Sequence, residues 1–158
     1  MHKKVFRAKQ FQSYLIDSGH EDTKLAIMIK HRSKPNEVDR MDLVGDVKGQ
    51  NCIIVDDMVD TGGTLCEAAR QLKEAGASKV YAFITHGLLN GPACDRVEKS
   101  ALSKLVITDS VKGLNHEKVQ KMDKIAQASV ATMLARSVQC VIEKKSMDHT
   151  FRTNIGTK

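Results

Sequence analysis

Cys52-Ile53-Ile54-Val55-Asp56-Asp57-Met58-Val59-Asp60-Thr61-Gly62-Gly63-Thr64-Leu65 is the stretch on which the fold turns. Cys52 to Val55 is a continuous apolar run of strand length, suited to burial on both faces. It reads as ending in two adjacent carboxylates, Asp56 and Asp57. A loop through Asp60, Thr61, Gly62, Gly63 and Thr64 then opens a helix, with Leu65, Ala68, Ala69 and Leu72 on its apolar side and Ala75-Gly76 as its stop. Strand, glycine-bearing loop and helix in that order begin a βαβ unit.

The pattern repeats outward from there. Val80 to Ile84 reads as a strand, Gly87 to Pro92 as a loop, Ala93 to about Ser100 as a short helix and Leu105 to Thr108 as a further strand. Val111 to Met122 is polar and irregular, and Lys124 to Ala128 fits strand or helix equally. Val130, Met133, Leu134, Val138 and Val141 mark a terminal helix. Upstream, Ala8, Phe11, Leu15 and Ile16 recur at helical spacing ahead of Gly19, a C′ stop. Leu25 to Ile29 reads as a strand buried on both faces, Lys30 to Arg40 as a charged loop, Asp42 to Val47 as a strand and Lys48 to Asn51 as a turn. The expected architecture is α/β: three layers, a mainly parallel twisted sheet with helices on both faces. One domain is expected over residues 1–143, with 144–158 as a tail.

Composition narrows the function. Over 158 residues, 41% apolar and 28% charged is ordinary for a globular chain and argues against disorder. Aromatics make up only 4%, with no Trp, which argues against a single-strand nucleic-acid groove. A net charge of +6 suits anionic ligands, but equally nucleic acid or plain solubility. Cys52, Cys66, Cys94 and Cys140 form no CxxC pair and read as reduced thiols of a cytoplasmic-type compartment. No apolar run reaches the ~18 residues of a membrane span, and the basic N-terminus lacks the apolar core of a signal peptide.

The chemistry sits in the opening stretch. Free N–H groups at a helix start, glycines that permit close approach and threonine hydroxyls together suit a phosphate. The same Thr64, or Asp60, would serve as an ordinary N-cap, and Thr64-Leu65-Cys66-Glu67 fits a capping box. Asp56 and Asp57 shift the balance, because adjacent carboxylates repel and gain little from packing. Beside a phosphate-shaped loop they suit sugar hydroxyls or a hard cation such as Mg²⁺. No Gly-Lys-Ser/Thr and no GxGxxG follows, so the pocket is for a sugar phosphate and not for a nucleoside triphosphate or dinucleotide.

Asp56 to Thr64 resembles the ribose-5-phosphate and phosphoribosyl-pyrophosphate loop of type I phosphoribosyltransferases and ribose-phosphate pyrophosphokinases. Lys30-x-Arg32, Asn36 to Met41, Val44 to Val47 and Thr85 to Ala93 resemble the pyrophosphokinases in particular. The resemblance covers about Val5 to Val138 and only the C-terminal half of that enzyme. It implies a type I phosphoribosyltransferase-like fold, with Asp56 and Asp57 on the ribose hydroxyls, directly or through Mg²⁺, and Asp60, Thr61, Gly62, Gly63 and Thr64 on the 5-phosphate. Lys30 and Arg32 match the family's catalytic loop. His86 is placed at the site edge or as a structural histidine. The implied reaction joins ATP and ribose 5-phosphate into phosphoribosyl pyrophosphate and AMP, for nucleotide biosynthesis.

One departure is large. In the family, a segment ending in a metal-binding Asp and two glycines precedes the match to Val5-Phe6-Arg7-Ala8-Lys9, where this chain has Met1 to Lys4. The N-terminal half with the ATP contacts has no counterpart. The expectation is therefore a ribose-5-phosphate or phosphoribosyl-pyrophosphate binder that meets ATP only with that half. It would act alone, as a homo-oligomer, or as a non-catalytic subunit of a full-length pyrophosphokinase. A purine or pyrimidine phosphoribosyltransferase is the other enzyme reading.

Overall fold

The structure, a computed structural model, describes residues 2–31 and 40–147; the side chains of residues 2–4, 30, 31, 40 and 41 lie outside that description. Helix α1 spans His2–Asp17 and closes as its spacing predicts. His20 N–H bonds Leu15 O and Gly19 N–H bonds Ile16 O, with Gly19 at φ 94°, a Schellman stop that glycine makes without strain.

Strands β3 (Asn51–Val59), β4 (Lys79–Gly87), β5 (Lys104–Thr108) and β6 (Ile125–Ala128) form a parallel sheet in that order. Lys124 to Ala128, ambiguous in sequence, is thus a strand, because it completes the ladder on the open side of β5. Helices α2 (Gly63–Glu74) and α3 (Ala93–Lys99) are the crossovers, and the irregular stretch holds a single turn, α4 (His116–Val119).

Side-chain alternation sorts the layers. Val80, Ala82 and Ile84 of β4 and Leu105 and Ile107 of β5 are buried in one cluster with Leu65, Ala69 and Leu72 of α2 and Val97 of α3. Ala69 and Ala82 are both fully buried. Their small side chains let α2 lie close on the sheet. Phe83 points to the other face, where its ring lies 5.5 Å from that of Phe11 on α1. Helices therefore cover both faces of a parallel sheet, as expected. None of the four cysteines forms a disulfide, and burial pushes the thiols of Cys52, Cys66 and Cys94 above their ordinary value.

Three expectations need correction. The strand expected at Leu25 to Ile29 runs instead over β1 (Ile27–His31), is only half-buried, and pairs antiparallel with β2 (Arg40–Val44) in a separate two-stranded sheet. Met28 and Leu43, opposite each other in the hairpin, pack against the main core while Ile27, Met28 and Ile29 are all only half-buried. The loop expected over Lys30 to Arg40 is correspondingly shorter, since Lys30, His31 and Arg40 belong to the hairpin; its centre lies outside the described residues. Finally, β3 does not stop at Val55. It stays paired with β4 through Val59↔Gly87, so Asp56 and Asp57 lie within the strand.

Helix α5 (Ala131–Ile142) follows the predicted periodicity, yet none of its residues is buried among the described residues. No described helix is long and apolar enough to cross a membrane.

Leu72 is 5% exposed on the buried side of α2. Leu72→Ala should cost about 2–5 kcal/mol of unfolding free energy, the range for emptying a core leucine site. Urea denaturation measures it, and a loss under ~1 kcal/mol would mean that the α2–sheet layer is not the core.

Candidate functional site

Parallel pairing carries β3 and β4 to the same end of the sheet, and the candidate site lies there. The last turns of both strands are held by main-chain bonds that continue into the loops. Leu89 N–H donates to Val59 O at 3.2 Å and Asn90 N–H to Asp60 O at 3.1 Å. Asn90 Nδ2 also donates to Asp60 Oδ1 at 2.9 Å. From α3, Arg96 Nη1 donates to Thr61 O at 2.9 Å. Each half of the loop Asp60 to Thr64 is thus tied to a different neighbouring element.

Gly62 is the N-cap of α2, at φ 75° and ψ −5°. A side chain there would be strained by the left-handed backbone, and its Cβ would meet the Ala93 backbone at 3.7 Å. Gly62 O accepts the Cys66 N–H, and no side chain caps the helix. The N–H groups of Gly63, Thr64 and Leu65 come before the first intrahelical bond and face out of the first turn. Neither capping arrangement open from sequence, Thr64 in a box or Asp60 as cap, is adopted. Asp60 is turned to Asn90 instead. The result is an uncapped helix start with the Arg96 guanidinium beside it, an arrangement whose chemistry suits an anion.

Upstream on β3, Asp57 Oδ1 accepts Met58 N–H at 3.0 Å and Asp56 Oδ1 accepts Asp57 N–H at 2.9 Å. Arg7 of α1 reaches across the sheet face to this pair. Its Nη2 lies 3.1 Å from Asp57 Oδ2 and its Nη1 3.8 Å from Asp56 Oδ1. The Asp56 side chain, the Arg7 charge and the Met58 N–H hold the Asp57 carboxyl below its ordinary value, against the opposing effect of partial burial. Two adjacent carboxylates are hard oxygen donors and suit Mg²⁺ that keeps several waters. No group of three or more His, Cys, Asp or Glu side chains able to hold a metal occurs among the described residues, so the pair would supply few of such an ion's ligands.

Of the residues singled out from sequence, Asp56, Asp57 and Asp60 to Thr64 are therefore together on one strand end and its loop. Lys30 lies in β1 opposite Met41, with its side chain outside the described residues, and Arg32 is outside them altogether. His86 neighbours Met58 in the ladder, and its Nδ1 is 2.8 Å from Ser110 Oγ beyond β5. Sequence reading missed Arg7, Asn90 and Arg96. Asn90 and Arg96 lie 30 and 35 residues from their partners Asp60 and Thr61, a separation that local patterns do not span.

A family model described as the phosphoribosyl synthetase-associated domain matches residues 16–152. The chain belongs to that family. Among curated proteins it is similar to ribose-phosphate pyrophosphokinase of Nitrosomonas europaea, 46% identical over 80% of this chain and 40% of that one. It is also similar to ribose-phosphate pyrophosphokinase of a Marinomonas strain, 42% identical over 93% of this chain and 44% of that one. A crystal structure of phosphoribosylpyrophosphate synthetase from Mycobacterium smegmatis superposes with a TM-score of 0.71 at 33% identity, over 87% of this chain and 42% of that chain. The chain spans less than half the length of these relatives.

Because Asp57 is lowered in the folded state, by the Asp56 side chain first and by the Arg7 charge after it, its ionised form contributes stability above the ordinary carboxylate value that is lost as pH falls through the lowered one. The Arg7–Asp57 pair is partly exposed, so its contribution is about 0–1 kcal/mol. Asp57→Asn should melt slightly below wild type at pH 7, with the gap closing on acidification. A gap constant into strong acid would show that the Asp57 charge does not contribute to stability here.

Proposed function

We propose that this chain supplies the ribose-5-phosphate side of ribose-phosphate pyrophosphokinase chemistry, as the equivalent of the C-terminal half of such an enzyme. The observation that carries the reading is the uncapped start of α2, closed by left-handed Gly62, on the same strand end as Asp56 and Asp57. An anion cradle and a pair of hydroxyl acceptors a few residues apart match the two ends of a sugar phosphate.

In this reading Gly63, Thr64 and Leu65 donate to the 5-phosphate from the main chain, and the Thr61 and Thr64 hydroxyls add to them. Gly62 permits the turn, and Asp60 braces the loop through Asn90. Asp56 and Asp57 accept from the ribose hydroxyls. Asp56 and Asp57 would hold Mg²⁺, directly or through water, and the ion would supply neutralisation of phosphate charge. The anomeric hydroxyl oxygen would attack the β-phosphorus of ATP, the bond to the α-phosphate oxygen would break, and AMP would leave while the hydroxyl proton is lost to solvent. Lys30 and Arg32 are assigned to that step, because phosphoryl-type transfer gains most from positioning and charge neutralisation. The family and the names of its relatives support the reaction class.

Calorimetry with ribose 5-phosphate tests the cradle. A Cβ at Gly63 would stand 3.6 Å from Arg96 Nη1, and the branched side chain of Gly63→Val would crowd both that guanidinium and the anion. The variant should lose affinity by tenfold or more while staying folded. Unaltered affinity would move the phosphate elsewhere.

A second measurement concerns turnover. Seating two polyanions in line is worth about 7–11 kcal/mol of orientation, and the loop at Asp60 to Thr64 is already assigned to one of them. The 158-residue chain alone is expected to bind ribose 5-phosphate and release no AMP from ATP. Release near ~1 s⁻¹ that disappears in Lys30→Ala would show that it also seats the nucleotide.

A further inference from the structure

We infer that Asn115 is a positioning residue for the loop at Asp60 to Thr64: it holds the left-handed turn at Leu89, and that turn holds Asp60. The inference deepens the proposed function and rests on it for the ligand, while its geometry stands by itself.

Three donors fix the start of the loop, and all come from two residues. Leu89 N–H donates to Val59 O at 3.2 Å, Asn90 N–H to Asp60 O at 3.1 Å and Asn90 Nδ2 to Asp60 Oδ1 at 2.9 Å. Leu89 reaches this arrangement with a left-handed backbone, at φ 47°. A leucine rarely adopts that conformation, and it persists only where the surroundings impose it. The side chain is 1% exposed in the core, which holds one end of the residue. Asn115 holds the carbonyl end: its Nδ2 donates to Leu89 O at 2.5 Å and to Gly91 O at 3.4 Å. Both neighbours are acceptors, so the position between them calls for a donor.

The ordinary use of an asparagine here would be different. Asn115 is the N-cap residue of α4, a place where asparagine bonds the free N–H groups of its own helix. Its side chain makes no such bond. It is spent on a carbonyl 26 residues upstream instead.

The segment that carries Asn115 is anchored independently. Val119 of α4 is buried in the core, and Lys118 Nζ lies 2.7 Å from Asp95 Oδ1 on α3. Gly113 lies so close to the same turn that a Cβ there would collide with Leu88 O. One short segment thus braces both supports of the phosphate loop: the turn at Leu89, through Asn115, and the helix of Arg96, through Lys118. Without Nδ2, Leu89 O loses its partner and the strained backbone is free to rotate out of the left-handed region. The three donors would turn with it. A loop preorganised for an anion would become one that must be ordered on binding.

Asn115→Ala, folded by circular dichroism, should bind ribose 5-phosphate about five- to tenfold more weakly by calorimetry, the size of one lost hydrogen bond. Asn115→Asp separates positioning from capping. Aspartate caps a helix as well as asparagine does but sets an oxygen against Leu89 O, so it should do no better than alanine. Restored affinity in Asn115→Asp, or unaltered affinity in Asn115→Ala, overturns the inference. Hydrogen exchange supplies a reading that needs no ligand. In Asn115→Ala the amides of Leu89 and Asn90 should exchange faster relative to those of Ala82 and Ile84 within β4. A uniform rise across all four reports a general loss of stability and counts against positioning. Should neither variant fold, the wild-type Asn115 Nδ2 signal decides by NMR: slow exchange is expected, and exchange at the rate of a solvated amide overturns the inference. Wild type that binds no ribose 5-phosphate defeats the proposed function and leaves the exchange comparison to judge Asn115, whereas binding indifferent to Asn115 defeats this inference alone.

Discussion

Nine-residue strands β3 and β4 are paired in parallel from Asn51↔Lys79 to Val59↔Gly87, and the candidate site depends on that register. In a parallel pair both chains leave at the same end, so the loops that follow emerge side by side. Asn90 meets Asp60 and Arg96 meets Thr61 because their strands end together, not because the residues attract one another at long range. With the loop fixed by main-chain bonds, the start of α2 can remain without a side-chain cap, and its N–H groups stay available to a ligand. A slip of one residue would carry every alternate side chain to the wrong face, so burial of Ala82 and Ile84 guards the site's geometry from below.

The two faces of the sheet are held by different kinds of contact. On the α2 and α3 side, a fully closed cluster of aliphatic residues holds the layers together, and one such leucine is worth about 2–5 kcal/mol. On the α1 side, the described contacts include one tilted ring pair, Phe11 with Phe83, worth about 0.5–1.5 kcal/mol beyond its buried area. The Arg7 ion pair adds about 0–1 kcal/mol at its exposure. Of the two layers, α1 is the one that touches the acidic pair, through Arg7.

Much of this was readable in advance, for reasons particular to each element. Leu65, Ala68, Ala69 and Leu72 announced α2 because one buried stripe at helical spacing leaves little else for a chain to do. The strands at Val80 and Leu105 announced themselves as continuous apolar runs, which fits a sheet covered by crossovers. The sequence reading ends the strand at the two carboxylates, since charge is a poor predictor of where a ladder stops. β3 continues through them because β4 continues beside it. The β1–β2 hairpin was misread for a related reason: Leu25 to Ile29 is apolar enough for full burial, but pairing assigned it an edge. Arg7 and Asn90 lie in segments that carry the family resemblance, but neither they nor Arg96 has a local pattern that points to its partner, because the partners lie in other elements.

Helix α5 shows the opposite limit. Val130, Met133, Leu134, Val138 and Val141 predicted a helix correctly, yet periodicity reports that a face is apolar and says nothing about what covers it. Within the described residues Val141 is 65% and Ile142 75% exposed.

The order of groups along β3 and its loop constrains what the site can take. Carboxylates come first, at Asp56 and Asp57, and main-chain donors follow at Gly63 to Leu65. A ligand anionic at both ends would meet repulsion at the first, and an uncharged sugar would leave the second unsatisfied. A molecule with hydroxyls at one end and a phosphate at the other satisfies both in a single orientation. The net charge of +6 adds a favourable field for the approach of that phosphate, but it cannot orient the ligand once it arrives. Orientation comes from the local sequence of acceptors and donors on a strand whose register the core holds in place.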